Sequence, residues 1–153
     1  MSKILEAVDV SVPVRTAYDQ WTQFETFPSF MEGVKSVRQL DATTLEWVAD
    51  VAGQEKRWTA TITEQQPDER IAWTAIDGAH NAGVVTFHRL AEGKSRVTLQ
   101  LDVDPTGPVE KIGDALGLVE GRVKGDLDRF KTFVESRGHE TGAWRGTVDQ
   151  TTD

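Results

Sequence analysis

The side chains best suited to chemistry are few, and their spacing narrows what they could do. The three histidines, His80, His88 and His139, stand apart from one another and from any carboxylate at metal-ligand spacing, and no H-E-x-x-H occurs. His80 sits beside Asn81 in D-G-A-H-N-A-G (77–83), a glycine-rich connection. There it reads as a solvated loop histidine able to reach a cavity mouth. The chain has no cysteine, which leaves no disulfide, thiolate metal site or thiol nucleophile. No Ser–His–Asp order, phosphate loop or close carboxylate pair is present. Glu46 and Asp50 share a strand face opposite to Trp47 and are expected in solvent. Glu6 shares parity with Val8 and Val10, which makes it the candidate inward carboxylate, a rare and often functional placement. This inventory implies no metal and no cofactor.

The aromatic and branched residues are better organised. Trp58, Ala60 and Ile62 share one strand face, Trp73 and Ala75 another, and Val85 and Phe87 a third. Val97, Leu99, Leu101 and Val103 follow the same alternation, and Leu45 and Trp47 join them. Large aromatics on facing strands can wall an apolar pocket and offer an indole N–H as a donor. The same residues would serve equally well as plain core filling. Phe27, Pro28, Phe30 and Met31 form a compact group. They suit either the entrance of a pocket, with Met31 as an adaptable contact, or a small satellite core under a loop.

These residues need elements to hold them. At 153 residues, 38% hydrophobic and 27% charged, the chain fits one globular domain with one core. Residues 4–12 alternate as a half-buried strand. Pro13 suits the first turn of a helix carrying Val14, Ala17, Tyr18 and Trp21. Pro28 limits the next segment, 24–31, to a short helix or turn. Period-two patterns then predict strands at 34–40, 44–51, 56–65, 70–76, 84–90 and 95–103, with turns between them. From Val109 the apolar residues step by three or four to Val134, predicting a helix over 109–137, about 40 Å long, with Gly138 beyond its end. The expected fold is α+β: about seven antiparallel strands curved around the long C-terminal helix, with two short helices after the first strand. Residues 1–138 form the expected ligand-binding domain and 139–153 a polar, loosely held tail.

One feature of that helix is unusual. Gly113, Gly117, Gly121 and Gly125 recur every fourth residue, each costing a helix interior roughly 0.8–1 kcal/mol relative to alanine. On a helical wheel they drift from the edge of the apolar face onto the exposed one. The helix is therefore either broken near Gly117 or continuous and soft in its first half. A soft half could gate a cavity together with residues 24–31. Charged residues interrupt the stripe, so a membrane dimer is not expected.

The net charge of −8 argues against nucleic acid and anionic membranes as partners. No apolar run approaches a membrane span, and the first residues carry no signal-like segment, so a cytoplasmic protein is expected.

V-P-V-R-T-A-Y-D-Q-W (12–21), F-x-x-F-P-S-F-M (24–31), the strand run and one terminal helix resemble the START-related helix-grip (SRPBCC) superfamily. Within it, they are most similar to the polyketide cyclase/dehydrase-like and coenzyme-Q-binding-like branch. The resemblance spans residues 3–137, and E-T-G-A-W-R-G (140–146) resembles the ending of one bacterial subset. It implies an apolar ligand such as a lipid, quinone or aromatic polyketide-like molecule, bound between sheet and helix. On that fold the contacts would come from Phe27, Phe30, Met31, Trp47, Trp58, Trp73, Val85 and Phe87, with Leu116, Val119 and Val123 from the helix. Cyclase members use an arginine in the middle strands. Here Arg57 has the opposite parity to Trp58 and should point outward, which counts against that chemistry. A cyclase or dehydrase, or an interaction module with a filled interior, remain the alternatives.

Overall fold

Alternation along the chain settles which side of each strand is buried, and the pairing register aligns those sides into one continuous floor. The computed structural model describes residues 2–51, 53–78, 81–103, 109–137 and 142–148, with 109–118 described as helical backbone alone. The strands are β1 (Ser2–Val10), β2 (Val34–Gln39), β3 (Thr44–Val51), β4 (Gln54–Gln66), β5 (Arg70–Gly78), β6 (Asn81–Ala91) and β7 (Lys94–Val103). They form one antiparallel sheet in the order β1-β7-β6-β5-β4-β3-β2, curled into a half-barrel. β5 and β6 run on to Gly78 and back from Asn81, which shortens the expected 77–83 connection; its His80 lies outside the described residues.

Helix α1 (Val14–Trp21) follows β1, and a 3-10 helix, Phe24–Ser29, follows α1. Pro13 stands just before α1 in an extended conformation, φ −59° and ψ 152°, and not inside its first turn. The C-terminal helix α2 spans Val109–Arg137 without a break. This removes the broken-helix alternative. Gly121 is exposed and a Cβ there would meet open space, which agrees with the outward drift of the glycines; the surroundings of Gly113 and Gly117 lie outside the described residues.

Val123, Leu127, Phe130 and Val134 form the buried face of α2. Their spacing of four, three and four is one helical stripe. Polar side chains of α2 then reach both open edges of the sheet. Near β1, the Ser11 amide donates to the Glu135 carboxylate at 2.6 Å and Lys131 Nζ donates to the Asp9 carbonyl at 3.1 Å. On the β2 side, the Glu32 amide donates to Asp126 at 3.1 Å, Arg129 Nε donates to the Phe30 carbonyl at 2.8 Å, and Arg122 donates to the Asp50 carbonyl at 2.5 Å. The Arg122 side chain crosses where a side chain at position 33 would stand, so any larger residue at 33 would have to push it aside.

The expectation of a loose tail fails for residues 142–148, which pack on the domain. Val148 makes a two-way antiparallel bridge with Gln65, N–H to O at 2.7 and 2.9 Å. Arg145 reaches the buried carboxylate of Asp19 at 2.5 Å and Asp68 at 2.8 Å. The physical reason is Asp19 itself, 1% exposed, because a buried carboxylate needs a cation.

Candidate ligand site on the concave face

The floor of the half-barrel has two ends with different packing. At the first, α1 and the 3-10 helix press aromatics onto β6 and α2. Tyr18 and Phe87 meet edge-to-face at 5.3 Å between ring centroids, and Trp21 lies 5.0 Å from Phe130. Phe30 lies 5.3 Å from both Phe130 and Phe133. All the rings of this cluster except Phe133 are at most 5% exposed.

The second end is built from short inward residues flanked by three half-buried tryptophans. Trp47 and Trp58 face each other across β3 and β4 and stack at 5.6 Å with planes 10° apart. The Trp47 indole N–H is buried and without a hydrogen-bond partner. On β5, Trp73 pairs with Gly83 of β6, and its ring lies over that glycine: a Cβ there would stand 2.6 Å from the indole Cζ2. Glycine at 83 therefore lets the edge of the indole approach the backbone of the sheet closely. Ala75 opposes Ala60 beside this group, and Leu101 and Ile4 continue its row across β7 and β1. Small residues therefore stand between large half-buried rings, with Trp47, Trp73 and Leu101 packed against the edge of the core.

All the residues implicated by the sequence as ligand contacts except Leu116 have a described side-chain environment. Trp47, Trp58 and Trp73 are half-buried at inward positions of β3, β4 and β5. Phe27 bridges the two ends, 5.3 Å from Trp21 and 5.6 Å from Trp47. Phe30 and Met31 are buried at 2% and 8%, at the base of the 3-10 helix against α2. Val85 and Phe87 are buried in the floor, Phe87 beneath Tyr18 and Trp21. Val123 is buried and Val119 partly buried against the core, while the Leu116 side chain lies outside the described residues.

Charge in and around the floor is sparse. Glu6 is half-buried with inward parity, between Ile4 and Val8 and opposite Leu99. Arg57 points outward, its side chain 70% exposed and paired with Glu55 at 3.2 Å. It joins Glu46, Val48, Thr59 and Asp77 around a depression of about 200 Å³ that the stacked pair Trp47 and Trp58 and Gly78 also line. Burial pushes the Asp126 carboxyl above its ordinary range, against the pull of Arg129 and the Glu32 amide. Burial likewise raises the Tyr18 phenol, moderated by the neighbouring Gln65 amide, although the two do not form a well-aligned hydrogen bond. Among the described residues, no three His, Asp or Glu side chains converge as metal ligands, and no helix is long and apolar enough to cross a membrane.

Four contributors escape a reading of spacing. Gln65 is buried because the register of β4 on β5 shifts between Ile62 and Glu64, which reverses the strand's parity. Asp19 and Arg145 find each other across 126 residues of sequence. Gly83 reads as part of the glycine-rich 77–83 connection, and only the longer β6 places it inside a strand beside Trp73.

Comparison with known proteins agrees with this geometry. The Zhui aromatase/cyclase from Streptomyces sp. R1128 superposes with a TM-score of 0.78 at 16% identity, over 94% of this chain and 99% of that one. A protein of Thermus thermophilus gives 0.77 at 20% identity, over 89% of this chain and 99% of that one. A START superfamily protein from Mycobacterium smegmatis gives 0.67 at 16% identity, over 83% and 97%. These likenesses establish the helix-grip fold. An uncharacterized 17.2 kDa protein of Streptomyces lincolnensis, from the melC2-rnhH intergenic region, is 56% identical over 149 residues, covering 97% of this chain and 99% of the relative. The model of the polyketide cyclase/dehydrase and lipid transport family matches residues 10–132, and the chain belongs to that family.

Proposed function

We propose that the protein binds an apolar small molecule, such as a lipid, a quinone or an aromatic polyketide-like compound, between the open end of the sheet and α2. The observation that carries this reading is the group of three half-buried tryptophans around Gly83, Ala60 and Ala75, large flat surfaces left only partly covered. Burying the remaining area of such rings against a ligand would contribute roughly 25 cal/mol per Å². The buried indole N–H of Trp47 supplies one donor for a ligand carbonyl or hydroxyl. The binding unit is residues 1–138, with Phe27, Phe30 and Met31 beside the entrance and Leu116, Val119 and Val123 above the floor. Val85 and Phe87 support the floor from below. The family's name joins cyclisation to lipid transport, and both need an apolar cavity.

A reaction is the second reading, and Glu6 is the observation that favours it. An inward carboxylate in an apolar row has the placement of a general base or acid. The outward turn of Arg57 leaves the middle strands without the arginine used by cyclases of the family, so binding is the better supported function.

The test is native mass spectrometry of gently purified protein, with titration of the apo chain by menadione, an apolar quinone that quenches tryptophan. The expected result is either a discrete added mass of a few hundred daltons or saturable quenching. A clean apo mass together with no response to quinones, lipids or aromatic polyketides would overturn the reading in favour of an interaction module.

A further inference from the structure

The ending that the sequence singles out, seen as residues 142–148, has no role in the binding site as described, yet it is attached through unusually costly contacts. Asp19 lies on α1 with its side chain 2% exposed. Arg145 Nη1 donates to it at 2.5 Å, whereas the other arginine near it, Arg15, stands at 3.7 Å with a side chain 68% exposed. The second arm of Arg145 reaches Asp68 in the β4–β5 turn, and its guanidinium lies 5.7 Å from the centre of the Tyr18 ring. One side chain thus ties α1 to the sheet. Burial disfavours the Arg145 charge, but Asp68 and Asp19 outweigh it and raise the group above its ordinary value.

The contacts continue toward the candidate site. The Trp144 amide donates to Thr22 Oγ1 at 3.1 Å, and Thr22 Oγ1 donates in turn to the Asp19 carbonyl at 2.5 Å. Gln23 Nε2 donates to the same hydroxyl at 3.0 Å. Thr26 Oγ1, inside the 3-10 helix, donates to the Gln23 carbonyl at 2.6 Å and accepts from Gln20 Nε2 at 3.3 Å. An unbroken hydrogen-bonded path therefore runs from the C-terminal segment into the Phe24–Ser29 turn. That turn holds Phe27 against Trp47.

We propose that residues 142–148 form a strap governing how readily the Phe24–Ser29 turn opens over the concave site, with Arg145 as its positioning residue. The proposal rests on the binding reading above for its purpose, and on the strap's own contacts for its mechanism. Releasing Arg145 frees α1 from Asp68 and removes the Arg145 guanidinium from the buried Asp19 carboxylate. The Thr22–Gln23 joint then loses its outer support, and the turn opens more often. Opening exposes the Trp47 side of the floor, which speeds both entry and exit of a ligand and changes its affinity much less.

Amide hydrogen exchange on the full chain decides the matter without a ligand. The reporters are Thr26, Phe30 and Met31, whose amides donate to Gln23 and Phe27 carbonyls. Arg145→Ala is expected to speed their exchange about tenfold while β6 and β7 keep their protection. Val148→Pro, which removes the N–H bonded to Gln65 and uncovers no charge, should act in the same direction and remains decisive if Arg145→Ala does not fold. Val134→Ala, a buried change outside the strap, controls for general loosening. Unchanged exchange at the reporters in Val148→Pro, or equal acceleration in Val134→Ala, would overturn the strap. With menadione as probe, association and dissociation should both accelerate severalfold in Arg145→Ala. If menadione binds neither protein, the binding reading loses the quinone class, and the exchange result still decides the strap.

Discussion

The two ends of the concave floor use the same kinds of residue to opposite effect. Tyr18, Trp21, Phe30, Phe87 and Phe130 interlock edge-to-face under α1 and α2, and none is more than 4% exposed. Trp47, Trp58 and Trp73 stand on the same face of the same sheet and stay half-buried. Residue type does not separate the two groups; what covers them does. The first group lies between α1 and α2 and shares its core with fully buried β-branched residues such as Val10, Val85 and Val97. The second has Ala60, Ala75 and Gly83, too small to fill the gaps. Close edge-to-face packing is thereby concentrated at one end, while the rings at the other stay only partly covered.

Phe130→Ala and Trp58→Ala put this division to its strongest test. The first removes a fully buried ring and should cost about 3–5 kcal/mol in urea denaturation. Trp58→Ala should cost under about 1.5 kcal/mol and weaken menadione binding about tenfold. Equal losses of stability would erase the distinction between the ends. Gly83→Ala sharpens it. The added methyl would stand 2.6 Å from the Trp73 ring and 2.8 Å from the Gln100 carbonyl oxygen, so both must give way, at a cost of about 1–3 kcal/mol with a shift in tryptophan emission. No shift would mean that the ring does not rest on the sheet.

The smallest effect concerns the helix spanning both ends. Lys131 and the Ser11 amide hold the Glu135 carboxyl below its ordinary value of 4.5. Its folded pKa is lowered, so its stabilisation is present above about pH 4.5 and lost as the pH falls through the folded value. Glu135→Gln should therefore lower the unfolding free energy from urea denaturation by under about 1 kcal/mol at neutral pH, and match the wild type in acid. Asp126 has the opposite sign. Burial raises it above 3.8, so its contribution is largest below that pH and declines as the pH rises through the folded value. A Glu135→Gln protein that lost more stability in acid than at neutral pH would refute the assignment.

The strands and both helices can be read from period and punctuation, because each depends on neighbours in sequence. β3 and α2 fall on their expected residues, and the inward parity of Trp47, Trp58 and Trp73 holds. Two things are not legible. A bulge near Thr63 turns Gln65 inward, and a single residue of slip leaves no mark in an alternating pattern. The strap reads as a polar tail because Arg145 is ordinary until Asp19 is known to be buried. Asp19 cannot be known as buried until something covers the outer side of α1. Each half of that pair hides the other.

The pairing of β1 with β7 also sets an order of events. Ile4 stands opposite Leu101, so the earliest of the seven strands to be made is among the last to find its neighbour. While the chain grows on the ribosome, the β2–β6 meander can form from local hairpins, whereas β1 waits with an open edge until residues near 103 emerge. Newly made protein should therefore be most vulnerable to chaperone capture, or to mispairing of that waiting strand, in this interval. The interval closes when β7 arrives and α2 follows it, and β1 is then locked in by the chain's second half.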